Sequence, residues 1–360
     1  MRPTIVRTKG DKSAADGSGS KAARAAYDQA LNESTPLNTD IDTDEGPSAS
    51  SGFASDRAAF SEAVGMVSEK TKLAPEQIIH DYWLVRTLYA LSKHLPEDGA
   101  LHNRVGAWVF GGGTSLATAW RFVRRYSEDI DGVLFVADTD KAKRNAQRRA
   151  SSGIAKWATD DPDITIPMIE GKRVLKSFFT VGDVPRYIKF ETSIIDASAD
   201  GLVEPREVKS MMCLQGESAW VEEHPELGGF VMPCAKPAWI AVNKFDALHR
   251  RAQDRNHDGI KERGRDLYDL WALAIQPPVA DEIRKRMADL WEPAAAGLGR
   301  NVTPRPAGGY ADSPVFQAGT AAYSALQEGF DEAVATTVWG AAPKFETAVK
   351  AVCALDDSSI

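Results

Sequence analysis

The sequence predicts an α+β protein in which a mixed sheet with flanking helices is followed by a mainly helical domain. Three observations indicate this class. Strand-like apolar runs alternate with a helix-like segment in the middle of the chain, helical periodicity dominates after Pro237, and a segment rich in Ser, Ala and Gly precedes both. We therefore divide the chain into an N-terminal tail, a sheet-containing core and a C-terminal helical domain, at residues 1–55, 56–205 and 206–360.

The N-terminal segment has few apolar side chains and no sustained hydrophobic period. Such a segment cannot bury enough surface to offset the entropy lost on ordering. We expect a solvated tail, and contact with a macromolecular partner is the alternative.

Two helices are predicted before the first strand. Phe60, Val64 and Val67 recur at helical spacing, and a second helix is expected after Pro75. The apolar face of this second helix carries Ile78, Tyr82, Val85 and Tyr89.

The sheet is predicted from short apolar runs that enclose one helix. We expect strands at residues 107–110, 130–136, 176–181 and 187–195, and a helix at 114–125. Proline- and glycine-containing joints separate the predicted C-terminal helices, which lie at residues 238–251, 264–275, 279–291, 314–335 and 343–354.

A glycine turn follows the first predicted strand, in the segment Phe110-Gly111-Gly112-Gly113-Thr114-Ser115-Leu116. Glycines allow the backbone to approach a ligand closely, and a helix N-terminus with hydroxyl side chains favours negative charge. The turn therefore predicts a phosphate-binding site.

A pair of carboxylates follows one helix-length later, in Ser127-Glu128-Asp129-Ile130-Asp131. Successive side chains on a strand alternate faces, so Asp129 and Asp131 project from one side while Ile130 points to the other. Two carboxylates so placed can share divalent cations, which stabilise the attacking and leaving oxygens of a phosphoryl displacement. Together with the glycine turn, the pair predicts a nucleotidyl-transfer site.

Two later segments complete a set of four motifs. Lys244-Phe245-Asp246-Ala247-Leu248-His249-Arg250 and Arg265-Asp266-Leu267-Tyr268-Asp269-Leu270 follow the first two in order and at similar spacing to a known family. The set resembles the AbiEii/AbiGii group of the DNA polymerase β-type nucleotidyltransferase superfamily, which includes the mycobacterial MenT toxins. The resemblance covers roughly residues 57 to 290 and implies a polymerase β-like nucleotidyltransferase core.

The resemblance implies roles for individual residues. Asp129 and Asp131 match the metal-binding carboxylates, and the metal implied is Mg²⁺ or Mn²⁺. Lys244 matches the lysine that contacts the triphosphate, a role that suits its compact charge. Asp266 either orients Lys244 or activates the attacking hydroxyl. Asp269 lies three residues after Asp266 on the same helix. It takes the role of Asp266 if the match to the family motif is shifted by one helical turn.

Further positions follow from the same resemblance. The residues expected at the nucleotide are Gly112, Gly113, Thr114, Ser115, Ser127 and Lys244. Ser127 has an alternative role as a cap of the turn into the strand. Glu191 is either the third carboxylate that this superfamily often places on a neighbouring strand or part of an ordinary half-exposed strand. Gly132 departs from the family pattern, which has Leu there, and is expected to weaken its strand locally.

A basic segment, residues 141–149, contains five basic residues and no acidic one. The net charge of −8 argues against nonspecific coating of nucleic acid, but a local basic surface can still bind it. The segment is therefore either a solvated helix face or a site for RNA phosphates. The candidate RNA-binding residues are Lys143, Arg144, Arg148 and Arg149.

The function implied is that of a toxin in a toxin–antitoxin or phage-defence system. It would transfer a nucleoside monophosphate from an NTP to an acceptor, the 3′ end of tRNA or another RNA, and be neutralised by a cognate antitoxin, for which a winged-helix regulator is one candidate. Two alternatives remain: transfer to a protein hydroxyl, and a catalytically silent module that binds nucleotides and regulates.

Composition sets limits on location. No apolar run approaches the roughly 20 residues needed to span a bilayer, and no secretory h-region is present at the N-terminus. The three cysteines are widely separated and lack metal-ligand spacing. We expect a cytoplasmic protein without a membrane partner.

Overall fold

The structure is a computed structural model, and it describes residues 52–101, 106–136, 154, 157, 161, 163–165, 175–181, 186–196, 198–216, 219–253, 258–295 and 304–356. These residues lie in one compact unit that spans residues 46–360. The predicted N-terminal tail, apart from its last four residues, and the basic segment 141–149 lie outside the described residues.

A mixed sheet forms the centre of the described chain. Its seven strands have the order β3-β4-β5-β2-β1-β7-β6. Pairing is parallel between β2 and β5 and between β1 and β7, and antiparallel between the other neighbours. The strands are β1 Ala107–Gly111, β2 Asp129–Val136, β3 Ile164–Thr165, β4 Leu175–Val181, β5 Arg186–Asp196, β6 Val203–Lys209 and β7 Gly228–Ala235.

Helices flank this sheet and make up the C-terminal part, so the predicted α+β class, a mixed sheet with flanking helices followed by C-terminal helices, is confirmed. The helices are α1 Arg57–Thr71, α2 Pro75–Ser92, α3 Gly112–Thr118, α4 Met211–Gln215, α5 Ala219–Glu223, α6 Pro237–Ala252, α7 Asp258–Lys261, α8 Gly264–Ala274, α9 Pro277–Ala295, α10 Ala321–Thr337 and α11 Phe345–Cys353. None of the helices in the described ranges is long and apolar enough to cross a membrane.

Helix α2 anchors one side of the sheet. Pro75 starts the helix, where its missing N–H costs nothing, and the side chain of Gln77 accepts a hydrogen bond from the Ala74 N–H at 3.0 Å. Ile78, Tyr82 and Val85 are fully buried, and the helix packs on β5 and β7. The predicted apolar face of this helix is therefore the face that meets the core.

Helix α3 is shorter than predicted. The expected helix at 114–125 ends at Thr118, because the chain turns away: the N–H of Trp120 bonds back to the Ser115 carbonyl and Arg121 adopts a left-handed φ of 61°. The indole of Trp120 donates to the Ala235 carbonyl at 3.1 Å, which fixes this turn against β7. Residues 119–128 are therefore a non-helical connection that leads into β2.

Strands β6 and β7 were not predicted, and residue 205, the last of the predicted core, lies inside β6. Both strands contain proline, and Pro205 stands opposite Pro233 in the antiparallel register. Proline cannot donate a ladder hydrogen bond, so it argues against a strand when the sequence alone is considered. The sheet thus continues into the segment that the sequence assigned to the helical domain.

The C-terminal helices pack against one another behind this sheet. Helix α6 contacts α9 and α8, and α8 contacts α10 and α11. The predicted helix at 314–335 begins later, as α10 at Ala321, because residues 314–316 form a 3-10 turn and Thr320 caps the helix by accepting from the Tyr323 N–H. The other predicted C-terminal helices match α6, α8, α9 and α11 within a few residues.

Candidate active site

The glycine turn connects β1 to α3 directly. Gly112 has a φ of +66°, and a Cβ added to it would lie 2.0 Å from Oδ2 of Asp131. Both the left-handed backbone and the close carboxylate therefore require glycine at this position. The register explains the proximity, because Gly111 stands opposite Asp131 in the antiparallel pair of β1 and β2.

The hydroxyls that follow the glycines are engaged within the protein. Thr114 and Ser115 are buried. The Thr114 hydroxyl donates to the Asp129 carbonyl oxygen and lies 2.7 Å from the Ser127 Oγ, and the Ser115 hydroxyl donates to the Gly112 carbonyl at 3.0 Å. These contacts hold the start of β2 against the turn. Ser127, whose alternative role was that of a cap, bonds to Thr114 at this junction.

Three carboxylates line the edge of the site. Asp129 and Asp131 lie on β2, and Glu191 lies on β5 directly opposite Asp131 in the parallel register. The ammonium of Lys189 lies 2.9 Å from Oδ2 of Asp129 and 3.2 Å from Oε1 of Glu191. We refer to Asp129, Asp131 and Glu191 as the acidic cluster.

Negative charge is concentrated in the acidic cluster around Asp131. Burial, reinforced by the nearby charges of Asp129 and Glu191, raises the pKa of Asp131 to about 7, although Lys189 and Lys244 act in the opposite direction. A carboxylate in this environment is favoured by an additional cation. The chemistry of the donors, all carboxylate oxygens, is the chemistry that Mg²⁺ prefers.

The described residues contain no group of three or more His, Cys, Asp or Glu side chains arranged to hold a metal ion. Mg²⁺ in nucleotide-dependent enzymes is commonly held by one or two carboxylates, with the remaining positions filled by phosphate oxygens and water. The pair Asp129 and Asp131 fits this incomplete type of site. In such a site the phosphates of a nucleotide would complete the coordination of the metal.

A buried lysine lies on the helix that follows β7. Lys244 on α6 is 7% exposed, and its ammonium lies 2.6 Å from Oδ1 of Asp266 and 2.7 Å from Oδ2 of Asp269, both on α8. Asp266 also lies 3.3 Å from a guanidinium nitrogen of Arg263. The two predicted alternatives, Asp266 and its neighbour one turn later, therefore bind the same ammonium.

The pKa shifts in this group indicate fixed charges. Burial on its own would raise the pKa of Asp266, but Lys244 and Arg263 lower it well below its usual range. Burial would likewise lower the pKa of Lys244, but Asp266 and Asp269 raise it. A carboxylate with so low a pKa is a weak proton acceptor near neutral pH. The contact between Asp266 and Lys244 is the one that the orienting alternative requires.

Sequence reasoning missed Arg125, which connects this group to the glycine turn. Its guanidinium donates to both oxygens of Asp269, at 2.6 and 2.7 Å, and the carboxylate is fully buried. A Cβ added to Gly113 would lie 1.9 Å from a guanidinium nitrogen of Arg125. Gly113 therefore provides the space through which the arginine reaches α8. No signal in the sequence distinguishes it from the nearby Arg121 and Arg124.

Sequence reasoning also did not identify Lys189 as a residue of the site. Only the pairing of β5 with β2 places its ammonium against Asp129. The same pairing places Glu191 beside the predicted metal-binding carboxylates. This is the position expected if Glu191 is the third carboxylate of the site.

Gly132 does not leave a gap in β2. A Cβ at this position would lie 2.4 Å from the indole nitrogen of Trp108, so the ring occupies the space of the missing side chain. The indole donates to the Thr192 hydroxyl at 3.1 Å and stacks on Phe190 at a centroid distance of 5.7 Å. The expected local weakness of the strand is therefore offset by a tryptophan from β1.

The candidate RNA-binding residues Lys143, Arg144, Arg148 and Arg149 lie outside the described residues. Other cations do lie at the described site. Arg263 lies 3.3 Å from Asp266, the carboxylate that binds Lys244, and Asp266 raises the pKa of this arginine.

Comparisons with known proteins identify the family of the chain. A family model described as the nucleotidyl transferase AbiEii toxin of type IV toxin–antitoxin systems matches residues 102–351. A search of curated proteins found no match. Among solved structures, the chain is similar to JHP933 from Helicobacter pylori, with 17% identity, a TM-score of 0.31, and coverage of 72% of this chain and 91% of that one. Because the family model covers more than half of the sequence, the chain belongs to the AbiEii family of toxin-type nucleotidyltransferases.

Proposed function

We propose that this toxin transfers a nucleoside monophosphate from an NTP to the 3′ end of tRNA, and that transfer depends on Mg²⁺ or Mn²⁺. One observation carries the proposal. The acidic cluster and the buried Lys244 converge on the glycine turn: a Cβ at Gly112 would lie against Asp131, and a Cβ at Gly113 would lie 3.0 Å from Oδ2 of Asp269, the atom that contacts the Lys244 ammonium at 2.7 Å. A cation that contacts phosphates beside carboxylates that hold a metal is the arrangement that nucleotidyl transfer requires.

The proposed reaction uses these positions. The acceptor hydroxyl gives its proton to water as its oxygen attacks the α-phosphorus of the NTP, the bond to the bridging oxygen breaks, and pyrophosphate leaves. A bound divalent cation would supply charge neutralisation for the attacking and leaving oxygens. Asp129 and Asp131 would hold it, and Lys244, fixed by Asp266 and Asp269, would stabilise the negative charge on the triphosphate.

Incubation of the purified protein with labelled NTPs, first with total RNA and then with total cellular protein, tests the proposal. Label in tRNA that is removed by trimming the 3′ end supports it. Label in protein would favour transfer to a protein hydroxyl. Nucleotide binding without label in either pool would favour the catalytically silent alternative.

A substitution of Lys244 tests the triphosphate contact. We expect Lys244→Ala to weaken NTP binding and to slow transfer by about 10²–10³-fold, because a preorganised cation is lost. Lys244→Arg should restore little activity, since a planar guanidinium presents its donors differently and does not fit between Asp266 and Asp269. Nucleotide titration and single-turnover rates measure both effects, and wild-type values in both variants would remove Lys244 from the site.

The acceptor is tested with the basic segment 141–149. Replacing Lys143, Arg144, Arg148 and Arg149 with Gln should weaken RNA binding and flatten its salt dependence, because each neutralised single-strand phosphate contributes roughly 0.7 to the log–log slope. NTP binding should stay close to wild type. RNA affinity and salt slope that both remain unchanged would place the acceptor elsewhere, with Arg250 and Arg251 on α6 as the next candidates.

Family membership implies a cognate antitoxin as a partner. We propose further that the antitoxin is a winged-helix regulator, that the toxin acts in the cytoplasm, and that the pair serves in phage defence. Co-expression of a neighbouring winged-helix gene product tests the first point, because it should relieve growth arrest caused by the toxin.

A further inference from the structure

Lys189 occupies an unusual place in the proposed metal site. Its ammonium bridges two members of the acidic cluster, at 2.9 Å from Asp129 and 3.2 Å from Glu191. The parallel register of β2 and β5 fixes this position, because Lys189 stands opposite Asp129 on the neighbouring strand. The cation therefore lies against Asp129, one of the two carboxylates that would hold a divalent metal.

Lys189 is protonated near neutral pH. Burial would lower the pKa of Lys189, but Asp129, Glu191 and Asp131 raise it well above its usual range. The side chain is nevertheless about one third exposed, so it is not locked by packing. A lysine has a flexible four-carbon stem, which allows the ammonium to move by several ångströms while the backbone stays in place.

A divalent cation and the Lys189 ammonium would be attracted to the same carboxylate. The Lys189 ammonium lies against Asp129 and Glu191, so it occupies a place at these carboxylates to which a divalent cation would also be attracted. A metal that binds Asp129 must take Oδ2 away from Lys189 or accept a like charge as its close neighbour. A divalent cation and the Lys189 ammonium therefore compete for Asp129. Binding of a further negatively charged group at the site would relieve this competition.

We propose that Lys189 is the built-in counter-ion of this site, which holds Asp129 and Glu191 when metal is absent and moves to the phosphates of the nucleotide when metal binds. The inference rests on the proposed function, because it assumes that a metal–nucleotide complex binds at the acidic cluster. The negatively charged triphosphate would form an ion pair with the Lys189 ammonium after the ammonium has left the carboxylates. Metal binding is thereby coupled to nucleotide binding, and Lys189 acts as a positioning residue.

Metal binding without nucleotide provides the test. Free Mn²⁺ is measured by electron paramagnetic resonance in titrations of the wild type, Lys189→Met and Lys189→Gln. Both substitutions remove the competing charge, and Gln retains a donor to the carboxylates. We expect both variants to bind Mn²⁺ about tenfold more tightly than the wild type when nucleotide is absent. Mn²⁺ should also raise the melting temperature of the variants more than that of the wild type.

A nucleotide with a non-hydrolysable α–β linkage completes the experiment. It should strengthen Mn²⁺ binding in the wild type far more than in either Lys189 variant, because only the wild type has an ammonium to transfer to the phosphates. Lys209→Met serves as the matched control, since Lys209 also pairs with a glutamate, Glu207 at 3.0 Å, but on the edge strand β6. It should behave as the wild type in both titrations.

The outcomes separate the inference from the proposed function. Unchanged Mn²⁺ affinity in both Lys189 variants without nucleotide would overturn the counter-ion role. Failure of every variant to bind Mn²⁺, even with nucleotide, would overturn the metal-dependent function and this role with it. If the expected Mn²⁺ pattern appears but tRNA receives no label, the counter-ion role stands and the acceptor is wrong.

Discussion

Asp131→Asn is expected to reduce nucleotidyl transfer by about 10²–10³-fold or more while the protein stays folded. The amide of asparagine has nearly the same shape as the carboxylate of aspartate. It carries no negative charge, however, and so binds a divalent cation more weakly. The substitution also removes one of three neighbouring negative charges, whose burial and mutual repulsion raise the pKa of Asp131 to about 7. Its thermal stability without metal should therefore equal or exceed that of the wild type.

Transfer rates under single-turnover conditions and thermal melts measure the two effects on the same samples. Glu204→Gln is the matched control, because Glu204 also lies on a strand and pairs with a cation, Arg206 at 3.0 Å, but on the exposed edge of the sheet. It should leave transfer unchanged. An Asp131→Asn protein that retains more than a tenth of the activity would exclude this carboxylate from metal binding.

The positions of the candidate site residues could be predicted where they depend on local spacing. The i, i+2 separation of Asp129 and Asp131 places both on one face of β2, and the strand itself was expected at residues 130–136. The glycine turn was recognisable for a similar reason, because Gly112 marks a backbone conformation that other residues rarely adopt. Short-range geometry is contained in the sequence and does not require the fold.

Contacts across the fold could not be predicted in this way. Arg125 and Asp269 are 144 residues apart, and Lys189 meets Asp129 only because β5 pairs with β2 in one register. The order of the strands could not be predicted either, since β6 and β7 contain prolines and most of their residues were assigned to the helical domain. Each of these features depends on the arrangement of the complete sheet, which one sequence without its structure does not specify.

Arg125→Met is expected to lower the free energy of unfolding by about 3–5 kcal/mol. Asp269 is fully buried, and the bidentate guanidinium neutralises it at 2.6 and 2.7 Å. Without Arg125 the carboxylate retains only Lys244, which also serves Asp266. Arg125→Lys should have an intermediate effect, because a single ammonium cannot reproduce the two parallel hydrogen bonds.

Urea unfolding of the wild type and the variants measures this effect. Arg121→Met is the control, because Arg121 lies four residues earlier and also pairs with a carboxylate, Glu207 at 2.7 Å, but with both side chains exposed. Its stability should change by no more than about 1 kcal/mol. A stability of Arg125→Met that equals the control would contradict the role assigned to the buried pair.

The double variant Arg125→Met, Asp269→Leu separates stability from activity. Removing both charges avoids an uncompensated carboxylate in the interior, so much of the lost stability should return. Transfer should remain slow, because Asp269 also contacts Lys244 at 2.7 Å and helps to fix its ammonium. If the double variant recovers stability together with wild-type transfer, Asp269 does not position Lys244, and Asp266 at 2.6 Å is sufficient for that task.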